Sequence, residues 1–253
     1  MTLRRILVVF AGLAVMVVGP ASVASAANPH AGSSSACDGV LAPGTYQSLT
    51  VTTFCALDAG TYRINGGVTV APGAAFDATN CDAVLTITGG VTVGEDAVLG
   101  LGGAGDTDCD APTGTKVYGG LRATDAMAVI VHGTNVWGGV VIDGGGVQDC
   151  EFAIPGLGFP TYVVFEDGSI NGGLTVANLT TCWFGTFRNT INGGVHVTNN
   201  SFDDPDANEI QDNTIHGPLV CTGNSPAAQQ GDSEGGPNTV SGPKVGECNA
   251  PGI

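Results

Sequence analysis

INGGVTV (64–70), ITGGVTV (87–93), INGGLTV (170–176) and INGGVHV (191–197) are four copies of one phrase. Aligned on apolar-x-Gly-Gly/Pro-apolar-x-apolar, the chain adds VYGGLRA (117–123), VWGGVVI (136–142) and two decayed copies, IHGPLVC (215–221) and VSGPKVG (240–246). YQSLTV (46–51) reads as an earlier copy without the glycines. Steps between copies run from 19 to 34 residues, about 25 on average, and a recurring period of that size marks a repeat architecture. Within a copy Val68 and Val70 point one way and Thr69 the other, because side chains alternate across a strand. The gaps hold Gly, Pro, Asp, Asn and Thr, which form turns. No long window after residue 26 shows helical periodicity. A second phrase, APGTY (42–46), DAGTY (58–62) and APGAAF (71–76), reads as a turn followed by another short strand.

These features predict an all-β chain, a right-handed single-stranded parallel β-helix of about nine coils. Each coil contributes two or three strands, and coils stack at ~4.8 Å into a rod of roughly 40 Å. The uneven steps favour the right-handed form over a left-handed one with a six-residue rhythm. A β-sandwich or propeller is the competing architecture, although blades need repeats of about 40 residues. The paired glycines are not a phosphate loop, since no helix pattern follows them. They mark a bend or bulge where backbones approach closely.

Residues 1–26 read as a secretory signal: Arg4 and Arg5, the apolar run ILVVFAGLAVMVVG, then Ala24-Ser25-Ala26 for cleavage. The run is shorter than the ~20 residues that span a bilayer, so no membrane span is expected after its removal. Residues 27–45 are expected to form an N-terminal segment or cap, and 46–253 the solenoid, ending in a flexible loop at 225–238. Without Arg4 and Arg5 only Arg63, Lys116, Arg122, Arg188 and Lys244 face 23 acidic residues. Such a surface repels nucleic acid and anionic lipid. It also argues against a dedicated site for anionic polysaccharides, which needs clustered Lys and Arg.

All eight cysteines follow residue 26, and none forms a CxxC pair, so disulfides in an oxidising compartment are expected rather than zinc. Five of them lie 8 to 11 residues before the next motif glycine, and equivalent positions in adjacent coils stack within disulfide reach. The expected pairs are Cys37–Cys55, Cys81–Cys109, Cys150–Cys182 and Cys221–Cys248. Cys55–Cys81 is also adjacent but would strand Cys37 and Cys109.

The signal, the GGVTV copies and the ending NTVSGPKVGEC (238–248) resemble the secreted β-helix repeat proteins of bacteria, especially those of high-GC Gram-positives. The resemblance implies the fold. It implies little about activity, since such proteins include adhesins, polysaccharide-active enzymes and many without an assigned role.

For catalysis, Asn80-Cys81-Asp82 and Asp203-Asp204 match two of the four polygalacturonase-type motifs loosely, and GHG and RIK are missing. A lyase base would be Arg122 or Arg188. No catalytic residue is assigned. In GDTDCD (105–110), Asp106, Asp108 and Asp110 alternate and would offer oxygens for weak calcium binding; the competing reading is a solvated acidic turn. The residue before the glycines forms an outward row: Asn65, Thr88, Tyr118, Trp137, Asn171, Asn192, His216 and Ser241. Tyr118 and Trp137 fall in neighbouring coils and would stack, either exposed to sugar rings or packed beneath the 144–160 loop. A second row, Thr50, Thr69, Thr92, Arg122, Val141, Thr175 and His196, breaks the threonine run of an ice-binding face. The lone histidines His132, His196 and His216 read as surface or corner residues.

The function that follows is a secreted, non-enzymatic surface or matrix protein binding carbohydrate or another cell-surface component through Tyr118 and Trp137. The alternatives are a polysaccharide-active enzyme, with acids at 106–110 and 203–212, and an inert self-assembling rod.

Overall fold

The structure, a computed structural model, describes residues 34–103, 109–231 and 235–253. The signal segment 1–26, Asp106 and Asp108 lie outside the described residues. Among the described residues every strand pairing is parallel, as in Val68↔Val91, Leu121↔Val140 and Val195↔Leu219. A sandwich or propeller would be built from antiparallel pairs, so the chain is an all-β parallel solenoid.

Each coil has up to three walls. The first wall is a nine-stranded sheet running from Gly44–Tyr46 to Thr239–Val240, which fixes nine coils. After the glycine corner comes the middle wall, which includes Val68–Val70, Leu121–Ala126 and Val140–Gly145. The third wall includes Ala75–Ala78, Val98–Leu101, Ala128–His132, Tyr162–Glu166 and Trp183–Phe187. Ser48–Leu57 is long enough to serve both of the latter walls. Parallel pairing already begins in the expected cap, where Ser34–Leu41 lies along Ser48–Leu57.

Alternate residues of all three walls fill the bore. Leu49, Val68, Val91, Leu121, Val140, Leu174, Val195 and Leu219 stack in register and are buried, and Tyr62, Phe76, Phe165 and Phe184 are the largest buried rings. At the glycine corner the coils approach most closely. A Cβ on Gly89 would lie 2.6 Å from Gly66 C, one on Gly193 2.7 Å from Gly172 C and one on Gly138 2.6 Å from Gly120 N. The first glycine of each pair is therefore needed for axial clearance, and its φ is not left-handed. The second glycine faces the next coil less tightly. Its carbonyl carries the ladder, as in Val68 N–H to Gly90 O at 3.0 Å. Pro218 and Pro243 keep that carbonyl, accepting from Val195 and Leu219, so GP replaces GG in the last coils.

The other two corners turn differently. Asp96 (φ 54°), Asp125 (φ 51°) and Asn178 (φ 59°) occupy one, and Asp167 (φ 53°) and Asp212 (φ 56°) the other. Asp and Asn tolerate this left-handed conformation better than other side chains with a Cβ. Buried asparagines link the C-terminal coils there: Asn189 N–H donates to Asn213 Oδ1 and Asn213 N–H to Asn238 Oδ1, both at 3.0 Å. A second ladder runs Asn200 to Asn224 and ends on the Glu247 carboxylate.

Four disulfides, Cys37–Cys55, Cys81–Cys109, Cys150–Cys182 and Cys221–Cys248, have Cα separations of 4.7 to 5.6 Å and match the expected pairs. They place the chain in an oxidising, non-cytoplasmic compartment. No helix among the described residues is long and apolar enough to cross a membrane. Of the segment 225–238 expected as a flexible loop, residues 232–234 lie outside the described residues, and the described part is tied into the coil path. Ser225 and Gln229 bridge to Ser201 and Glu209, and Gln229 Nε2 donates to Pro205 O and Ala207 O.

Candidate functional site: the aromatic ridge

The side chain before each glycine pair has a bare corner beside it. Short residues there lie low: Asn192 Nδ2 donates to Asn171 Oδ1 at 2.7 Å, and Thr88 Oγ1 to Asn65 O. Tyr118 and Trp137 instead rise above the row. Their ring centroids are 4.5 Å apart and their planes 19° from parallel, and the residues are 47% and 42% exposed. Their backbone N–H groups bond Ile87 O and Val117 O, so both belong to the corner ladder. One face of each ring is used by the other. The outer face of Tyr118 turns toward the coil of Thr88 and that of Trp137 toward the coil of Asn171.

The 144–160 loop does not cover this ridge. Ile154, Leu157 and Phe159 pack on Val98, Ala128, Ile130 and Val164, on the outer surface of the third wall. The Cys150–Cys182 disulfide and a bond from Gln148 Nε2 to Phe202 O at 3.2 Å hold this strap. Beside it, burial and then the charge of Glu166 push the Tyr162 hydroxyl up to about 12.

The outward rows follow the register read from the sequence. Thr50, Thr69, Thr92, Arg122, Val141, Thr175 and His196 align from coil to coil on the middle wall. On the first wall Arg63, Thr86, Lys116 and Asn135 align likewise. Arg63, Lys116 and Arg122, scattered in the chain, therefore all border the glycine corner near the ridge, so the clustered cations whose lack argued against an anionic-polysaccharide site are present, concealed by their spacing in sequence. Lys244 is drawn to the Ile253 carbonyl, and Arg188 is held by Asp167 at 2.7 and 2.9 Å and by Glu166 at 3.3 Å.

The remaining candidates have structural duties. Asp203 Oδ2 accepts from Cys150 N–H at 3.0 Å and Asp204 Oδ1 from Asp206 N–H at 2.9 Å. Asn80 Oδ1 accepts from Asp82 N–H, and Cys81 is in a disulfide. Asp110 is exposed, and the described residues contain no group of three metal-binding side chains. His196 and His216 are exposed, but His132 is buried, opposite Glu166 on the third wall. It ends its strand directly before the corner at Gly133 (φ 55°), so of the two positions expected for it the corner one holds, while the outer face of that wall is largely covered. A polar groove of about 440 Å³ lies at the far end of Leu121–Ala126 and Val140–Gly145, lined by Asp125, Asp143, Asn178 and Thr180. Comparison with family models, curated proteins and solved structures gave no match.

Proposed function

We propose that this chain is a secreted, non-enzymatic surface or matrix protein that binds carbohydrate at the Tyr118–Trp137 ridge. The observation that carries the reading is a stacked, exposed pair of aromatic rings in a corner row whose other members are Asn65, Thr88, Asn171, Asn192, His216 and Ser241. Aromatic faces pack against the C–H faces of sugar rings, and polar neighbours such as Asn171 bond hydroxyls. The engagement of Arg188, Asp203 and Asp204 in ion pairs and turns favours binding over catalysis. Four disulfides and the signal-like residues 1–26 favour secretion.

A glycan array followed by calorimetry tests the reading. Trp137→Ala should weaken glycan binding at least tenfold, a loss of about 1.4 kcal/mol or more, with the thermal midpoint unchanged. Wild-type affinity in that variant, or no binding by any glycan, would sink the proposal.

A further inference from the structure

We infer that the glycan is anionic and lies along the solenoid axis, on the glycine corner to either side of the ridge. This rests on the carbohydrate reading above and adds the ligand's charge and direction.

The charge comes from what the coils bring together. From the outward row of the first wall, across the corner, to the outward row of the middle wall, no coil carries an Asp or Glu, although the chain has 23. That strip carries Arg63, Lys116 and Arg122, all exposed, and among the described residues none of the three has an ion pair. Lys116 and Tyr118 share one face of the chain, about 7 Å apart along it. Arg63 lies two coils from Lys116, about 10 Å away. Arg122 stands on the other side of the corner. The Debye length is about 8 Å at physiological salt, so a carboxylate or sulfate on a sugar bound at Tyr118 feels Lys116, while Arg63 acts on a charge further along the ligand.

The direction follows from what surrounds the strip. Along the axis a ligand meets Arg63 two coils before Tyr118 and the Asn171–Asn192 amides beyond Trp137, a new coil every ~4.8 Å, while Lys116 and Arg122 flank it in the coil of Tyr118 itself. Along the strands it would leave the strip within one strand length and run into Asp125 and Asp143. Nucleic acid fits poorly, because a duplex binder makes about six to ten phosphate contacts, and the acidic surface beyond the strip repels the rest.

Calorimetry on the full chain tests the inference with polygalacturonate, alginate, hyaluronan and chondroitin sulfate oligosaccharides. Carboxyl-reduced counterparts of the uronates and a short DNA duplex serve as comparisons. At least one anionic oligosaccharide should bind about tenfold or more tighter than its uncharged counterpart. Chondroitin sulfate binding alone would assign recognition to sulfate and support the inference equally. The preference should vanish in Lys116→Gln/Arg122→Gln, whose residues are exposed, and fade as salt rises. Trp137→Ala should weaken charged and uncharged ligands alike. Equal binding of both forms, or an unchanged preference in the double variant, overturns the inference while leaving carbohydrate binding intact. No binding across the panel overturns both. Equally tight DNA binding overturns the inference in favour of a general polyanion patch.

Discussion

Alanine substitutions one residue apart, at Gly138 and Gly139, should have opposite consequences. A Cβ on Gly138 would sit 2.6 Å from Gly120 N and 2.7 Å from Gly120 Cα. Both are backbone atoms, so no side-chain tip can move aside. Relief requires the two coils to part where Gly138 N–H bonds Gly119 O at 3.0 Å. Overpacking of this kind costs about 1–3 kcal/mol, and a weakened backbone hydrogen bond adds about 1 kcal/mol. A Cβ on Gly139 meets Gly173 O at 3.5 Å and Gly173 N at 3.9 Å, ordinary contacts, and its φ is not left-handed. There alanine removes freedom from the unfolded chain and should stabilise by about 0.4–1 kcal/mol. At roughly 2–4 °C per kcal/mol for a chain of this size, Gly138→Ala should melt about 5–15 °C below wild type. Gly139→Ala should melt at or slightly above it. Thermal melts with disulfides intact measure this. Equal losses at both positions would refute axial crowding and make the doublet a dihedral requirement of the turn.

Asn213→Ala should rank among the most damaging polar substitutions. It leaves the buried Asn189 N–H without the partner it has at 3.0 Å, at about 1–3 kcal/mol, and removes the bond to Thr186 O at 2.8 Å; denaturant midpoints would show it, and a loss below 1 kcal/mol would contradict the ladder. Tyr162 should titrate near pH 12 by ultraviolet absorbance, since burial foremost and Glu166 next hold it protonated. Its raised folded pKa means the contribution is complete below pH 10 and lost as pH climbs from 10 to 12, by roughly 2–3 kcal/mol. Tyr162→Phe should flatten that alkaline slope.

Much of the architecture is legible because each coil is written in order, with its corner marked by glycines and its core by alternate valines. The cysteine pairing followed from coil position for the same reason. The strap did not, since 146–161 carries no repeat. Its target does leave a signal: AVIVH (128–132) and YVVFE (162–166) are apolar runs without alternation, as in strands buried on both faces. The asparagine ladders are visible as NT before Ile191, Ile215 and Val240, but their meaning requires knowing that those corners stack. The cationic strip was illegible. Positions 63 and 116 look remote until two turns of coil place them in one row.

The fold alone does not account for that strip. Stacking coils at ~4.8 Å penalises rows of like charge of either sign, so it predicts no bias toward cations. Part of the acid distribution has a structural cause, because Asp96, Asp125, Asp167 and Asp212 occupy left-handed corners that the glycine corner does not need. Those are four of 23 acids, too few to explain why none of the others falls on the outward rows beside the ridge. The bare glycine corner gives Tyr118 and Trp137 their exposure whatever they do. The absence of carboxylates around them, with three cations in their place, has no comparable structural cause, and it is what a site selecting against repulsion of an anionic ligand would produce.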